Sequence, residues 1–130
     1  MCKKYLVWGA LMAALAVALG AFAAHGLQQL TSDEKIIQGF KTATQYQFYH
    51  AIGLFLIGIL MGAYSGKCMH IAAYFFLIGI ICFSGSIYVL TYLKLNEVPP
   101  GALVFVTPVG GILFIAGWLL ISVRLLKKTA

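Results

Sequence analysis

Acidic residues are nearly missing from this 130-residue chain: Asp33, Glu34 and Glu97 stand against nine Lys and Arg, and charged residues make up only 9% of it. None of the three acids lies inside an apolar stretch, so no carboxylate pair is available for general acid–base hydrolysis. A Ser–His combination such as Ser84 with His50 also lacks an acidic orienter, and the expectation is that the protein is not an enzyme. A proton or ion path would need ionisable groups through the depth of a membrane, and these are lacking too. Cysteine is scarce. Cys2 and Cys68 are expected on a reducing side and Cys82 in mid-membrane, which excludes a disulfide framework.

What is present is apolar. Hydrophobic residues are 62% of the chain, and residues 5–32, 42–66, 68–93 and 98–123 contain no Lys, Arg, Asp or Glu. Each run exceeds the roughly 20 residues that cross a bilayer core at about 1.5 Å rise per residue. The pattern predicts an all-α, polytopic membrane protein: a four-transmembrane-helix bundle in a single domain, residues 1–130. The spans are about 5–25, 44–64, 69–93 and 102–126. A short amphipathic helix is expected at about 32–43, on the outer side before helix two. It opens on a capping box at Thr31-Ser32-Asp33-Glu34 and bends into helix two near Thr44. Leu27 to Leu30 reads as a turn. Met1–Lys4, the apolar run and Ala21-Phe22-Ala23 imitate a signal peptide, but the run is long for one and a true first helix is expected.

Charge assigns the sides. Lys3, Lys4, Lys67, Arg124, Lys127 and Lys128 fall on the side of the termini; Lys35, Lys41, Lys94, Asp33, Glu34 and Glu97 fall on the other, giving 6 − 0 = +6 against 3 − 3 = 0. Positive loops stay cytoplasmic, so both termini are expected there. The basic residues are split over three segments with no stripe on one face, which argues against nucleic acid as a partner. Membrane lipid is the expected partner, with a homo-oligomer or a partner membrane protein as further options.

Small residues mark packing faces. Gly20 lies at four-residue spacing between Ala16 and Ala24, Gly58 and Gly62 form a GxxxG pair, and Gly110 and Gly111 leave space on helix four. Pro108, inside helix four, is expected to kink it and free the Val104 carbonyl. Tyr5, Trp8, Trp118 and Tyr92 read as interfacial belt residues. Polar residues gather at one level, in the outer half of all four helices, where they should pair with one another. Helical phase selects His25, Tyr46, His50, Ser84, Tyr88 and Thr107 as the candidate cluster, with Tyr49 and Ser86 in reserve. Ser86 is turned away from Ser84, so one of the two should bond back to a carbonyl one turn earlier.

Five segments then carry a resemblance: Gly20 to Leu27 (GAFAAHGL), Tyr46 to Ala51 (YQFYHA), Phe83 to Tyr88 (FSGSIY), Thr107 to Gly111 (TPVGG) and Gly117-Trp118. In this order they resemble the YgdD / transmembrane protein 256 family of small four-helix membrane proteins of unknown function. One departure is Ala23, where the family pattern has Gly. The resemblance implies a bacterial plasma membrane or a mitochondrial membrane, and no established activity. It supplies no catalytic residues.

Four functions compete at this point. The leading one is a non-enzymatic accessory or scaffold protein that packs against partner helices or lipid. The alternative is a pocket in the outer leaflet for a lipid, quinone or small polar ligand. A transporter is disfavoured by the apolar inner halves. A haem or metal site on His25 and His50 would need more than two histidines without a motif spacing, so no metal or cofactor is expected.

Overall fold

The computed structural model describes residues 1–127, and every regular element among them is helical. The chain forms α1 (Lys3–Ala24), α2 (Gly26–Leu30), α3 (Glu34–Leu60), α4 (Lys67–Ile80), a π-helical turn (Ile81–Gly85), α5 (Ser86–Leu95), a 3-10 turn (Gly101–Phe105) and α6 (Val106–Leu126). Lys128, counted in the charge tally, lies outside the described residues. Three stretches are long and apolar enough to cross a membrane by length and composition: Lys3–Leu30, Lys67–Leu95 and Gly101–Leu126. The helix α3 is not among them: Lys35 and Lys41 stand near its start, and even its more apolar part, residues 43–60, carries Gln45, Gln47 and His50.

Several boundaries differ from the expectation. Leu27 to Leu30 is not a turn but part of α2, which follows α1 after a break at His25. The cap of α3 is Asp33, whose carboxylate accepts from the Lys35 N–H at 2.9 Å; Thr31 instead accepts from the Asp33 N–H. A carboxylate in reach of the first free N–H groups, beside the helix dipole, is the stronger cap. The helix that it starts continues unbroken through Thr44, so the amphipathic segment and the second apolar run are one element of 27 residues, about 40 Å long. No Pro lies between Glu34 and Leu60 to break it. Phe40 and Ala43 are buried, with Phe40 packed on Ala23 and Leu27.

Pro108 does not kink a helix interior. It falls in the first turn of α6, where a missing N–H removes no intrahelical bond. The preceding 3-10 turn feeds that start. The third apolar run, in contrast, is interrupted by the π-helical turn at Ile81–Gly85, which periodicity did not foretell.

The helix α1 lies along α3, and α4 lies along α6. Glycine contacts set both pairings. A Cβ at Gly9 would stand 2.8 Å from the Ala51 carbonyl oxygen and 2.7 Å from the Phe55 nitrogen; one at Gly58 would stand 2.8 Å from Leu6. Next to Gly58, the Cys2 N–H donates to its carbonyl at 2.8 Å. Gly62 lies beyond the end of α3, in the turn, and meets Met1, so both glycines of the expected GxxxG pair face the N-terminal segment but only Gly58 is within the helix. Between α4 and α6, a Cβ at Gly110 would meet the backbone of Phe83, and one at Gly79 would stand 2.7 Å from Phe114. The turn before α4 is pinned by Arg124, which donates from two guanidinium nitrogens to the Ser65 carbonyl. The main core joins Tyr5, Leu54, Ile57, Met69, Phe76 and Phe114. Tyr5 is therefore fully buried and not a belt residue.

Gly110→Ala should destabilise the fold by about 1–3 kcal/mol, since the backbone that it meets has no rotamer to yield. Gly20→Ala, whose Cβ meets only Thr44 Oγ1 at 4.0 Å, should change stability by less than about 0.5 kcal/mol. Unfolding titrations with SDS in mixed micelles would separate the two.

Candidate functional site

The π-helical turn arranges the polar residues of the third apolar run. An extra residue in the turn widens the helix, and Phe83 presses its backbone on Gly110. On one side of it, Ser84 is buried and donates to the Ala43 carbonyl of α3 at 2.7 Å. On the other, Ser86 donates back to the Phe83 carbonyl at 2.9 Å. That uses its single O–H, so Thr107 is the donor in the short Ser86–Thr107 contact. Thr107 thus pairs with the reserve residue Ser86 and not with Ser84.

Tyr88 also faces α3. Its hydroxyl donates to Gln47 Oε1 at 2.7 Å, and Gln47 Nε2 donates to the Met12 carbonyl of α1 at 3.0 Å. This buried amide ties three helices together, and the phase argument passed over it. Gln47 is 1% exposed, and a strongly polar, uncharged side chain within an apolar helix is the signal that could have found it.

His50 stands in different company. Its ring stacks on Phe114, with centroids 3.5 Å apart and 8° between planes, and meets Phe76 edge-on at 5.2 Å. Its Nδ1 lies 2.6 Å from the Tyr46 carbonyl oxygen. A carbonyl only accepts, so Nδ1 carries the proton and Nε2 of the neutral ring is an acceptor. Nε2 has no partner among the described residues. Tyr46 packs on Phe83 with centroids 4.9 Å apart.

These rings wall a lateral groove between α3 and α6, about 560 Å³ in volume. Tyr46, Tyr49, His50, Phe83, Phe114 and Trp118 form its sides, and Gly111 and Ile115 open it. The Gly111 position leaves space, as a Cβ there meets only Phe83 at 3.9 Å. Of the six selected residues, the structure brings Tyr46 and His50 to the groove. It places Ser84 and Tyr88 on the α3 interface and Thr107 on Ser86. His25 is exposed at the break after α1, away from the groove.

The opposite end of the bundle holds a second polar group that sequence reasoning missed. Tyr5 and His70 Nδ1 are 2.7 Å apart, and Lys4 Nζ donates to the Tyr74 hydroxyl at 2.8 Å while lying 4.6 Å from the Trp8 ring. Tyr5 and Trp8 carried that signal, but their place near a chain end suggested belt residues. Among the described residues, no three His, Cys, Asp or Glu side chains come together as a metal site.

The model of the protein family of unknown function DUF423 matches residues 19–111. A UPF0382 membrane protein of Staphylococcus epidermidis is 42% identical over 125 residues, which is 96% of this chain and 97% of that protein. The UPF0382 membrane protein YwdK of Bacillus subtilis is 40% identical, covering 96% of this chain and 98% of its own. One from Haemophilus influenzae is 38% identical, covering 92% and 90%. The chain belongs to the DUF423 family. No solved structure matches it. The family match takes in Tyr46, His50, the π-helical turn and Gly110–Gly111; Phe114 and Trp118, which complete the groove in this DUF423 protein, follow it.

Tyr88→Phe leaves Gln47 Oε1 without its donor and should destabilise the protein by roughly 0.5–2 kcal/mol, the range of interhelical hydrogen bonds in membranes. Gln47→Leu combined with Tyr88→Phe should cost less than the sum of the single changes, as a double-mutant cycle would measure.

Proposed function

We propose that this protein is a non-enzymatic binding module of the bacterial plasma membrane that takes up a bilayer-soluble molecule in the lateral groove at His50. The single observation that carries this reading is the groove itself. It is walled by aromatic rings, holds one open acceptor, and has the size of a small-molecule site. The serine hydroxyls are engaged elsewhere, Ser84 with Ala43 and Ser86 with Phe83, and neither meets His50. That argues against nucleophilic chemistry.

In the same reading the chain is a four-helix transmembrane bundle with both termini cytoplasmic. The charge asymmetry of +6 against 0 supports the orientation, and the length of α3 supports a fourth crossing. The outward residues of α1 and α6, among them Leu11, Leu15, Ile112 and Leu119, then face lipid. The narrower kinship with the YgdD / transmembrane protein 256 group rests on the five ordered segments. A second reading, an accessory protein packed against a partner helix or a second copy, draws on the exposed stripe that runs from Phe105 of the 3-10 turn through Ile112 to Leu119 of α6.

Two experiments test this. With the native cysteines replaced, Lys67→Cys should react with an impermeant thiol reagent only from the cytoplasmic face and Lys94→Cys only from the outer face. Native mass spectrometry of protein released gently from its own membrane should show a small-molecule adduct. The Gly111→Trp variant, whose Cβ meets only the Phe83 ring at 3.9 Å and whose indole takes up groove volume, should lose it. An unchanged adduct, or a bare mass in both samples, would overturn the groove reading.

A further inference from the structure

We propose that the groove is built for an aromatic hydroxyl, the phenol or hydroquinone head of a bilayer-soluble molecule. This deepens the groove reading above and rests on it. His50 is only 5% exposed, and its one proton is committed to the Tyr46 carbonyl. Its Nε2 has no partner among the described residues, although no buried side-chain nitrogen or oxygen in them is sealed away unpaired. Nε2 therefore keeps an accessible edge, and the groove is the cavity that this ring lines. In the apolar layer no bulk water satisfies it. The occupant must bring a donor.

The groove also carries donors of its own. Tyr46 and Tyr49 are 40% and 55% exposed, and their hydroxyls have no partner among the described residues. A ligand hydroxyl can donate to Nε2 and accept from a tyrosine at once. A carbonyl or ether oxygen can only accept, which leaves Nε2 open. The walls then choose the rest of the molecule. Phe114 under His50, Tyr46 on Phe83, and Trp118 offer ring faces and edges that prefer another ring to an alkyl chain. The open side toward α6 leaves room for an apolar tail to run into lipid.

The test uses matched probes on the full chain in lipid nanodiscs: 4-decylphenol, its methyl ether and 1-decanol. The ether has the ring and tail without the donor, and decanol has the donor and tail without the ring. Wild type should bind the phenol about tenfold more tightly than either control, the scale of one hydrogen bond or one aromatic contact in a dry site. His50→Phe keeps the stack on Phe114 and should bring the phenol down to the level of its ether while leaving the ether unchanged. A measurement on wild type alone guards against a misfolded variant: the ¹⁵N resonance of His50 Nε2 should move with the phenol and stay with the ether. Equal binding of phenol and ether would overturn the hydroxyl, and equal binding of phenol and decanol would overturn the ring. In either case, block by Gly111→Trp would leave the groove standing. Binding of all three probes unaffected by Gly111→Trp would sink the groove and the ligand class together.

Discussion

Close backbone approach at glycine is the constraint on which this structure rests. Between apolar helices in lipid the hydrophobic effect gives no net drive, so association depends on packing and on hydrogen bonds. Here Gly9 lets α1 meet the Ala51–Phe55 backbone, Gly58 receives Leu6, and Gly110 receives Phe83. The last contact reaches furthest. It seats the π-helical turn against α6, and the turn sends Ser84 toward α3 and Ser86 toward Thr107. Gly111, one residue on, has no such contact. A tight glycine beside a loose one creates the groove: the first brings the helices together, and the second leaves a space next to the seam.

The main architecture was legible because its signals are strong and local. Uncharged runs longer than a bilayer core can hardly be anything but helices, and the polar residues expected at one level do mostly bond to one another or to backbone. What escaped was geometry that period alone cannot carry. A π-helical turn shifts the phase of everything after it, so Thr107 finds Ser86 where regular spacing had offered Ser84. Pro108 reads as a kink only if the helix starts well before it; the 3-10 turn places it in the first turn instead. Gln47 was overlooked because its face differs from that of Tyr46 and His50, although a buried amide has more hydrogen-bonding capacity to satisfy than either. Its two partners lie on α1 and α5, and only the assembled bundle shows them.

The polar groups fall into two kinds once their partners are counted. Gln47, Tyr88, Ser84, Ser86 and Thr107 are closed: each is hydrogen-bonded to a neighbouring helix or turn. The end near the termini is closed as well, with Lys4 on Tyr74 and Tyr5 with His70. These residues explain how the helices are held in register, and need no ligand. His50 is half closed. Its Nδ1–H is fixed by Tyr46, which also fixes the tautomer, and the other nitrogen has no partner among the described residues while the ring lines the groove.

That asymmetry separates a packing histidine from a binding one. Phenylalanine at position 50 would stack on Phe114 as well as imidazole does and would leave no acceptor without a donor. In the membrane placement proposed above, an acceptor left without a donor costs about 1–3 kcal/mol, as much as or more than the Nδ1–Tyr46 bond returns in net stability. On folding alone, the imidazole is thus at best neutral. It becomes favourable when something in the groove donates to Nε2, and the aromatic walls limit what that something can be.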